Sequence, residues 1–245
     1  MSRHSHAVSA LVLALALTPS VARGSQTQPQ TQPQTQPQTR PHAGSHAHEG
    51  AVDHSFADVD RWKQVFDDPA RDEWQKPDEV VAALRVGAGS VVADLGAGTG
   101  YFTIPLARTV APGGRVLAVD LEPEMVQYLG ERAMAEGVPG VEPIQADPDD
   151  PHLPAGVVDR ILVVDTYHHI HDRVDYLRRL RDSLAPGGQV VIVDFQKREL
   201  PVGPPVEHKM SVEEVVGEFR EAGFRLDREE TFLPYQYFLV FSPEG

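Results

Sequence analysis

The sequence has no cysteine in 245 residues. This excludes disulfides, thiolate metal sites, cysteine nucleophiles, a lipid-modified N-terminal cysteine and thiol chemistry on soft acceptors such as arsenic. It is compatible with an oxidising or a reducing compartment. Positive charge is scarce as well: 22 Lys and Arg stand against 36 Asp and Glu, for a net charge of -14. The first 50 residues hold only Arg3, Arg23, Arg40 and Glu49, so the shortage of cations falls on the remainder. So acidic a body has few cations to displace counterions, which argues against nucleic-acid binding and docking on anionic membranes. Long apolar runs are also lacking. Ala7 to Leu17, broken by Ser9, is too short to span a bilayer.

What is present begins with a signal-like segment. Arg3 supplies a positive start, Ala7 to Leu17 the apolar stretch, and Thr18-Pro19-Ser20-Val21-Ala22 small residues before a cleavage point after Ala22. Residues 1–22 therefore read as a secretory signal. The product is then periplasmic or extracellular, without stable membrane insertion once cleaved. A misassigned start would make it cytoplasmic, and the next methionine after Met1 is Met125. Residues 23–55 read as a linker: Thr-Gln-Pro-Gln occurs three times between Thr27 and Gln38, with no apolar residue to form a core. His42, His46, His48 and His54 follow, a solvated tail rather than a preorganised metal site.

From about residue 56 the composition turns globular, and the length suits one domain. Asp58 to Phe66 and Pro77 to Leu84 read as helices, the second with acids in its first turn. Apolar runs then alternate with helical stretches. Strands are expected at Ser90–Leu95, Val116–Asp120, Val141–Gln145, Arg160–Val164 and Val190–Asp194. Helices are expected at Phe102–Val110, Glu122–Glu136 and Asp172–Leu184. This order predicts an α/β fold with a parallel sheet covered on both faces. Ala-Pro-Gly-Gly occurs at 111–114 and 185–188, the same helix-to-strand turn used twice. Ser211 and Glu214 form a capping box for a helix through Ala222. Leu226–Phe232 and Gln236–Phe241 then predict an antiparallel hairpin at the sheet's far edge.

The informative stretch is Val91-Val92-Ala93-Asp94-Leu95-Gly96-Ala97-Gly98-Thr99-Gly100-Tyr101-Phe102. A strand ends in an acid, glycines make a sharp turn open to a ligand, and a helix begins. A dinucleotide fingerprint wants Gly or Ala where Tyr101 stands, and no Walker Gly-Lys-Ser/Thr is present. Asp94 at the strand tip would repel a pyrophosphate and suits an ammonium. The loop therefore fits a ligand with an amine, a carboxylate and a nucleoside.

On these residues the sequence resembles the class I S-adenosylmethionine-dependent methyltransferases, in particular the small-molecule group containing the ubiquinone and menaquinone methyltransferases. The resemblance covers about residues 75–195. It implies a Rossmann-like seven-stranded, mostly parallel sheet with helices on both faces and an antiparallel C-terminal hairpin. S-adenosyl-L-methionine is the implied cofactor. Asp94, Gly96, Ala97, Gly98, Gly100 and Tyr101 match the first motif. Asp120 matches the acid that holds the ribose hydroxyls, with Leu121 and Met125 flanking the adenine. Asp147 matches the acid near the adenine amino group, and Asp165 completes the cofactor set at the end of the fourth strand.

The acceptor is expected beside Asp165-Thr166-Tyr167-His168-His169-Ile170-His171, since ligands sit at the carboxyl ends of strands. Tyr167, His168 and His169 are the catalytic candidates. Either histidine can act as a general base, or be a hydrogen-bonded core residue; no metal is expected. Residues 56–85 are expected to fold over the ligand as a helical lid, with Arg71, Trp74 and Gln75 closing it. The expected partner is a small-molecule acceptor. An S-adenosylmethionine-binding protein without catalysis and a nicotinamide oxidoreductase are the alternatives. The glycine spacing and the absence of any Tyr-x-x-x-Lys pair speak against the latter.

Overall fold

The computed structural model of the protein describes residues 58–245. The signal-like segment 1–22 and the stretch 23–55 with its histidines lie outside the described residues. Three short helices come first: α1 (Val59–Phe66), α2 (Asp72–Gln75) and α3 (Pro77–Ala83). Asp58 caps α1 by accepting the Arg61 amide, and Pro77 opens α3 at its first turn. Strands and helices then alternate: β1 (Val91–Leu95), α4 (Thr103–Val110), β2 (Arg115–Asp120), α5 (Pro123–Ala135), β3 (Val141–Gln145), β4 (Val158–Val164), α6 (Arg173–Ser183) and β5 (Leu184–Phe195). The chain finishes with α7 (Val212–Glu221), β6 (Phe224–Glu230) and β7 (Gln236–Pro243). The capping box expected at Ser211 and Glu214 opens α7, both of its hydrogen bonds being formed.

The seven strands lie in the order β3-β2-β1-β4-β5-β7-β6. The first five are parallel, and β7 runs antiparallel to both β5 and β6. The expected antiparallel hairpin is therefore present at the far edge, with β6 outermost and β7 the strand that reverses direction. Side chains alternate between two cores, as the pleat requires. Ala93, Ile161, Val190 and Ile192 pack with Leu177 and Leu180 of α6 and Val215 and Phe219 of α7. On the other face Val92, Leu162, Val191 and Val193 pack with Val80 and Val81 of α3 and Leu106 and Val110 of α4. Both faces of the central strands are buried, which is why they read as unbroken apolar runs. β3 is the exception. Its Val-Glu-Pro-Ile-Gln is largely exposed, as fits an edge strand bearing proline.

The two Ala-Pro-Gly-Gly copies share a physical reason and differ in shape. A Cβ on Gly114 would lie 2.6 Å from the Ser90 carbonyl oxygen, and one on Gly188 would lie 2.7 Å from that of Val158. Each glycine thus lets the chain press against the start of the neighbouring strand. The first copy is a turn; the second is already extended and forms the beginning of β5, with an irregular register against β4.

Candidate active site

The carboxyl ends of β1, β2, β4 and β5 carry acids, and the glycine loop leaves from the first of them. Asp94, in β1, is buried and accepts a hydrogen bond from Thr103 Oγ1 at 2.6 Å. Burial pushes its carboxyl up to about 6, more than the Thr103 bond lowers it. Asp120, at the tip of β2, accepts from the Gly98 amide at 2.8 Å and the Glu122 amide at 3.0 Å. Burial raises it too, against those two bonds. Its two oxygens keep further lone pairs for ribose hydroxyls. Leu121, beside it, is 52% exposed, while Met125 is completely buried in α5.

Within the loop, Gly96 has φ +75°, and a Cβ there would sit 2.2 Å from Thr166 Oγ1 of the segment after β4. The loop and the β4 tip are thus in direct contact, which a side chain at 96 would prevent. The buried Ala97 and Gly96 both donate their amides to the Val119 carbonyl of β2. Gly100 has φ +92° and lies under Leu129 of α5.

The segment before the sheet lies on this loop. The Phe66 ring comes within 3.3 Å of where a Gly98 Cβ would be. Asp67 accepts from Thr99 Oγ1 at 2.8 Å and from Arg132, whose Nη1 also reaches the Thr99 carbonyl. Tyr101 donates its hydroxyl to Asp72. Arg71 crosses to the far side: its guanidinium lies 4.3 Å over the Tyr101 ring and 3.4 Å from Asp165 Oδ2. Gln236 of β7 donates to the other oxygen of Asp165 at 2.6 Å, and Gln75 donates to Gln236 at 2.8 Å. Asp165 has φ +51°, and burial pushes its carboxyl up to about 7 against the lowering by Arg71.

Of the three catalytic candidates the two histidines stay together and Tyr167 parts from them. His168 turns to β5: its Nδ1 lies 2.8 Å from Oδ2 of Asp194, with side chains 7% and 0% exposed. Burial acts to lower His168, but the bond and charge of Asp194 outweigh it, so the imidazole is raised. The His169 ring lies 4.1 Å from that of His168. Tyr167 is turned away into the core, its hydroxyl donating to Glu218 of α7 at 2.6 Å and its ring against Phe219. His171 is exposed. Asp147 follows the tip of β3, where Gln145 pairs with Asp120 and Ala146 donates its amide to the Asp120 carbonyl; it is exposed, its Oδ2 2.9 Å from His152. Among the described residues no group of three or more His, Asp or Glu gathers to hold a metal ion.

Three features of this site escape sequence reading. Asp194 ends the expected strand Val190–Asp194, but its pairing with His168 depends on how β5 lies beside β4. The Gln75–Gln236–Asp165 chain joins residues 161 and 71 positions apart. Thr166, as the residue opposite Gly96, has no local signal at all.

Trp74 lies 5.7 Å from the Phe195 ring and 6.4 Å from that of Tyr235, forming aromatic cover beyond the end of β5. A shallow cleft of about 430 Å³ bordered by Arg85, Ser90, Asp159 and Arg160 is at the amino ends of β1 and β4, the opposite end of the sheet.

A family model described as a methyltransferase domain matches residues 92–188. The chain is 31% identical over 113 residues to a ubiquinone/menaquinone biosynthesis C-methyltransferase of Pseudomonas fluorescens, covering 46% of this chain and 44% of that protein. It is 28% identical over 118 residues to the same enzyme of Hahella chejuensis, covering 48% and 47%. The chain thus spans a little under half the length of these curated relatives. Among solved structures, a SAM-dependent methyltransferase from Aquifex aeolicus superposes with a TM-score of 0.71 at 30% identity, covering 75% of this chain and 97% of that one.

Proposed function

The chain belongs to the S-adenosylmethionine-dependent methyltransferases, and on that premise we propose that it moves a methyl group from S-adenosylmethionine to a small organic acceptor over the tips of β4 and β5. The observation that carries this reading is the meeting of Asp94, the loop 96–100 and Asp120 at adjoining strand ends, held by Gly98 donating to Asp120. The donor set fits the cofactor. Asp94 and Asp165 would take the ammonium, Asp120 the ribose hydroxyls, and the exposed Leu121 the adenine face; the glycines would admit close approach.

When bound, S-adenosylmethionine supplies a methyl carbon on a positively charged sulfur that departs as a neutral thioether. The residues of the chain align, dehydrate and deprotonate. Asp194 Oδ2 accepts a hydrogen bond from Nδ1–H of His168, which keeps that proton on Nδ1. That leaves Nε2 of the neutral ring with its lone pair, ready to take the proton an O–H, N–H or activated C–H acceptor must lose. Asp194 acts through His168 and is a positioning residue. Trp74, Phe195 and Tyr235 provide an apolar wall that excludes water. The activity of those relatives, C-methylation in ubiquinone and menaquinone biosynthesis, supports an acceptor of small aromatic type. The signal-like segment 1–22 supports action outside the cytoplasm, with a mature N-terminus at Arg23.

Calorimetry with S-adenosylmethionine and with NAD tests the cofactor: heat is expected with the first only. Release of adenosylhomocysteine over a panel of phenols, quinones and amines tests the transfer. Binding without release from any of them would leave a nucleoside-binding protein. An intact Met1 found by mass spectrometry of the native protein would refute cleavage.

A further inference from the structure

The cofactor proposed above is a zwitterion at its methionine end, and the acids of the site answer only half of it. Asp94 and Asp165 suit the ammonium. A carboxylate brought between them without a cation would be repelled. The cation placed there is Arg71. Its guanidinium covers the Tyr101 ring at the end of the glycine loop and reaches Asp165 at the tip of β4. Its side chain is 14% exposed.

Arg71 is also loosely held. It donates to the Phe66 carbonyl at 3.3 Å, to Gln75 Oε1 at 3.3 and 3.1 Å, and to Asp165 at 3.4 Å. Charge-assisted bonds to a well-seated carboxylate are shorter, about 2.7–2.9 Å, and a guanidinium prefers two parallel ones. Arg173 shows that arrangement in this same chain, gripping both oxygens of Glu218 at 2.9–3.1 Å. Arg132 is likewise committed, to Asp67, Glu136 and the Thr99 carbonyl. Arg71 alone of the three has no bidentate carboxylate, and it faces the ends of β1 and β4 where one is due.

We propose that Arg71 is the receptor for the methionine carboxylate of S-adenosylmethionine, exchanging its long contact with Asp165 for a forked pair with the ligand and leaving Asp165 to the ammonium. The inference rests on the cofactor reading above. It gives the lid a second consequence. Phe66, Asp67 and Asp72 fasten the same segment to Gly98, Thr99 and Tyr101, so a ligand carboxylate on Arg71 ties that segment to the β4 side as well.

The test is calorimetry on the full chain with two nucleosides, S-adenosylhomocysteine and its decarboxylated analogue, which keeps the amine and lacks the carboxylate. The wild type is expected to bind the first at least about tenfold more tightly. Arg71→Met is expected to lose that preference: homocysteine-form affinity falls about tenfold and the analogue's stays unchanged. Arg71→Lys recovers part of it, keeping charge without the fork. Trp74 fluorescence in a Trp62→Phe background gives a second readout. Adenosylhomocysteine should perturb it, and the analogue should do so less. Equal affinities in the wild type, or equal weakening of both ligands in Arg71→Met, would overturn the proposal and leave Arg71 a lid fastener. A wild type that binds neither nucleoside would overturn the cofactor reading, and this inference with it.

Discussion

His168 and Asp194 meet at the ends of neighbouring parallel strands, Nδ1 to Oδ2 at 2.8 Å, in a place where both side chains are almost fully enclosed. The contact fixes which imidazole nitrogen bears the proton, and Asp194 raises the ring's basicity. A base works only when deprotonated, so methyl transfer should fall on the acid side as pH drops through the raised value. Asp194→Asn removes the raising charge. Its acid limb should move to lower pH and its plateau rate fall about a hundredfold, with cofactor affinity unchanged. A pH–rate profile shows both. An unshifted limb would remove the pair from the mechanism.

Asp94 carries a conflict between stability and binding. Its carboxyl sits at about 6 in the folded chain against an ordinary 3.8. The folded state thus holds that proton more tightly than the unfolded one, and the group's cost to stability is largest above pH 6 and fades as pH falls toward 4. Asp94→Asn should raise the melting temperature at pH 7.5, with a ceiling of roughly 3 kcal/mol, and should weaken S-adenosylmethionine. Wild-type affinity should decline as pH falls through about 7 and then about 6, where Asp165 and then Asp94 gain protons. Thermal unfolding and calorimetry on the same samples decide this.

Gly96→Ala should cost about 2–3 kcal/mol of stability, because φ is +75° and the new methyl meets Thr166. Adding Thr166→Gly should return part of that loss, since the clash is removed and the strained φ is not. Urea unfolding of the single and double variants measures the recovery. No recovery would show that the loop and the β4 tip are not in contact.

Tyr167→Phe separates packing from chemistry. The hydroxyl donates to Glu218 in the core, so its loss should lower stability by about 1 kcal/mol. Turnover measured well below the melting temperature should match the wild type. A large fall in turnover would place Tyr167 at the acceptor after all.

The parallel core was legible because its strands are apolar on both faces and its turns are marked by glycine. β1 and β2 fall within a residue of the expected runs. The end of the chain was less legible. The apolar pattern places a strand at Leu226–Phe232, whereas β6 runs Phe224–Glu230 and leaves Phe232 outside, packed near Phe238. Periodicity also cannot say that β7 enters between β5 and β6, since that is settled by pairing between distant strands. At the site, acids at strand ends were visible one by one. What joins them was not: the lid's Arg71 on Asp165, the glutamine chain, and Asp194 on His168 all depend on register and loop closure.

The insertion of β7 sets an order of assembly. β5 and β6 cannot complete the sheet with each other; each awaits a strand made later than both. During synthesis, at about 5–20 residues per second, every earlier element can be on hand while one long margin of β5 stays open. The closing piece also carries Gln236, which reaches the lid through Gln75 and the β4 tip through Asp165. A ribosome-bound chain released only as far as residue 235 would therefore hold a glycine loop yet lack the clasp above it.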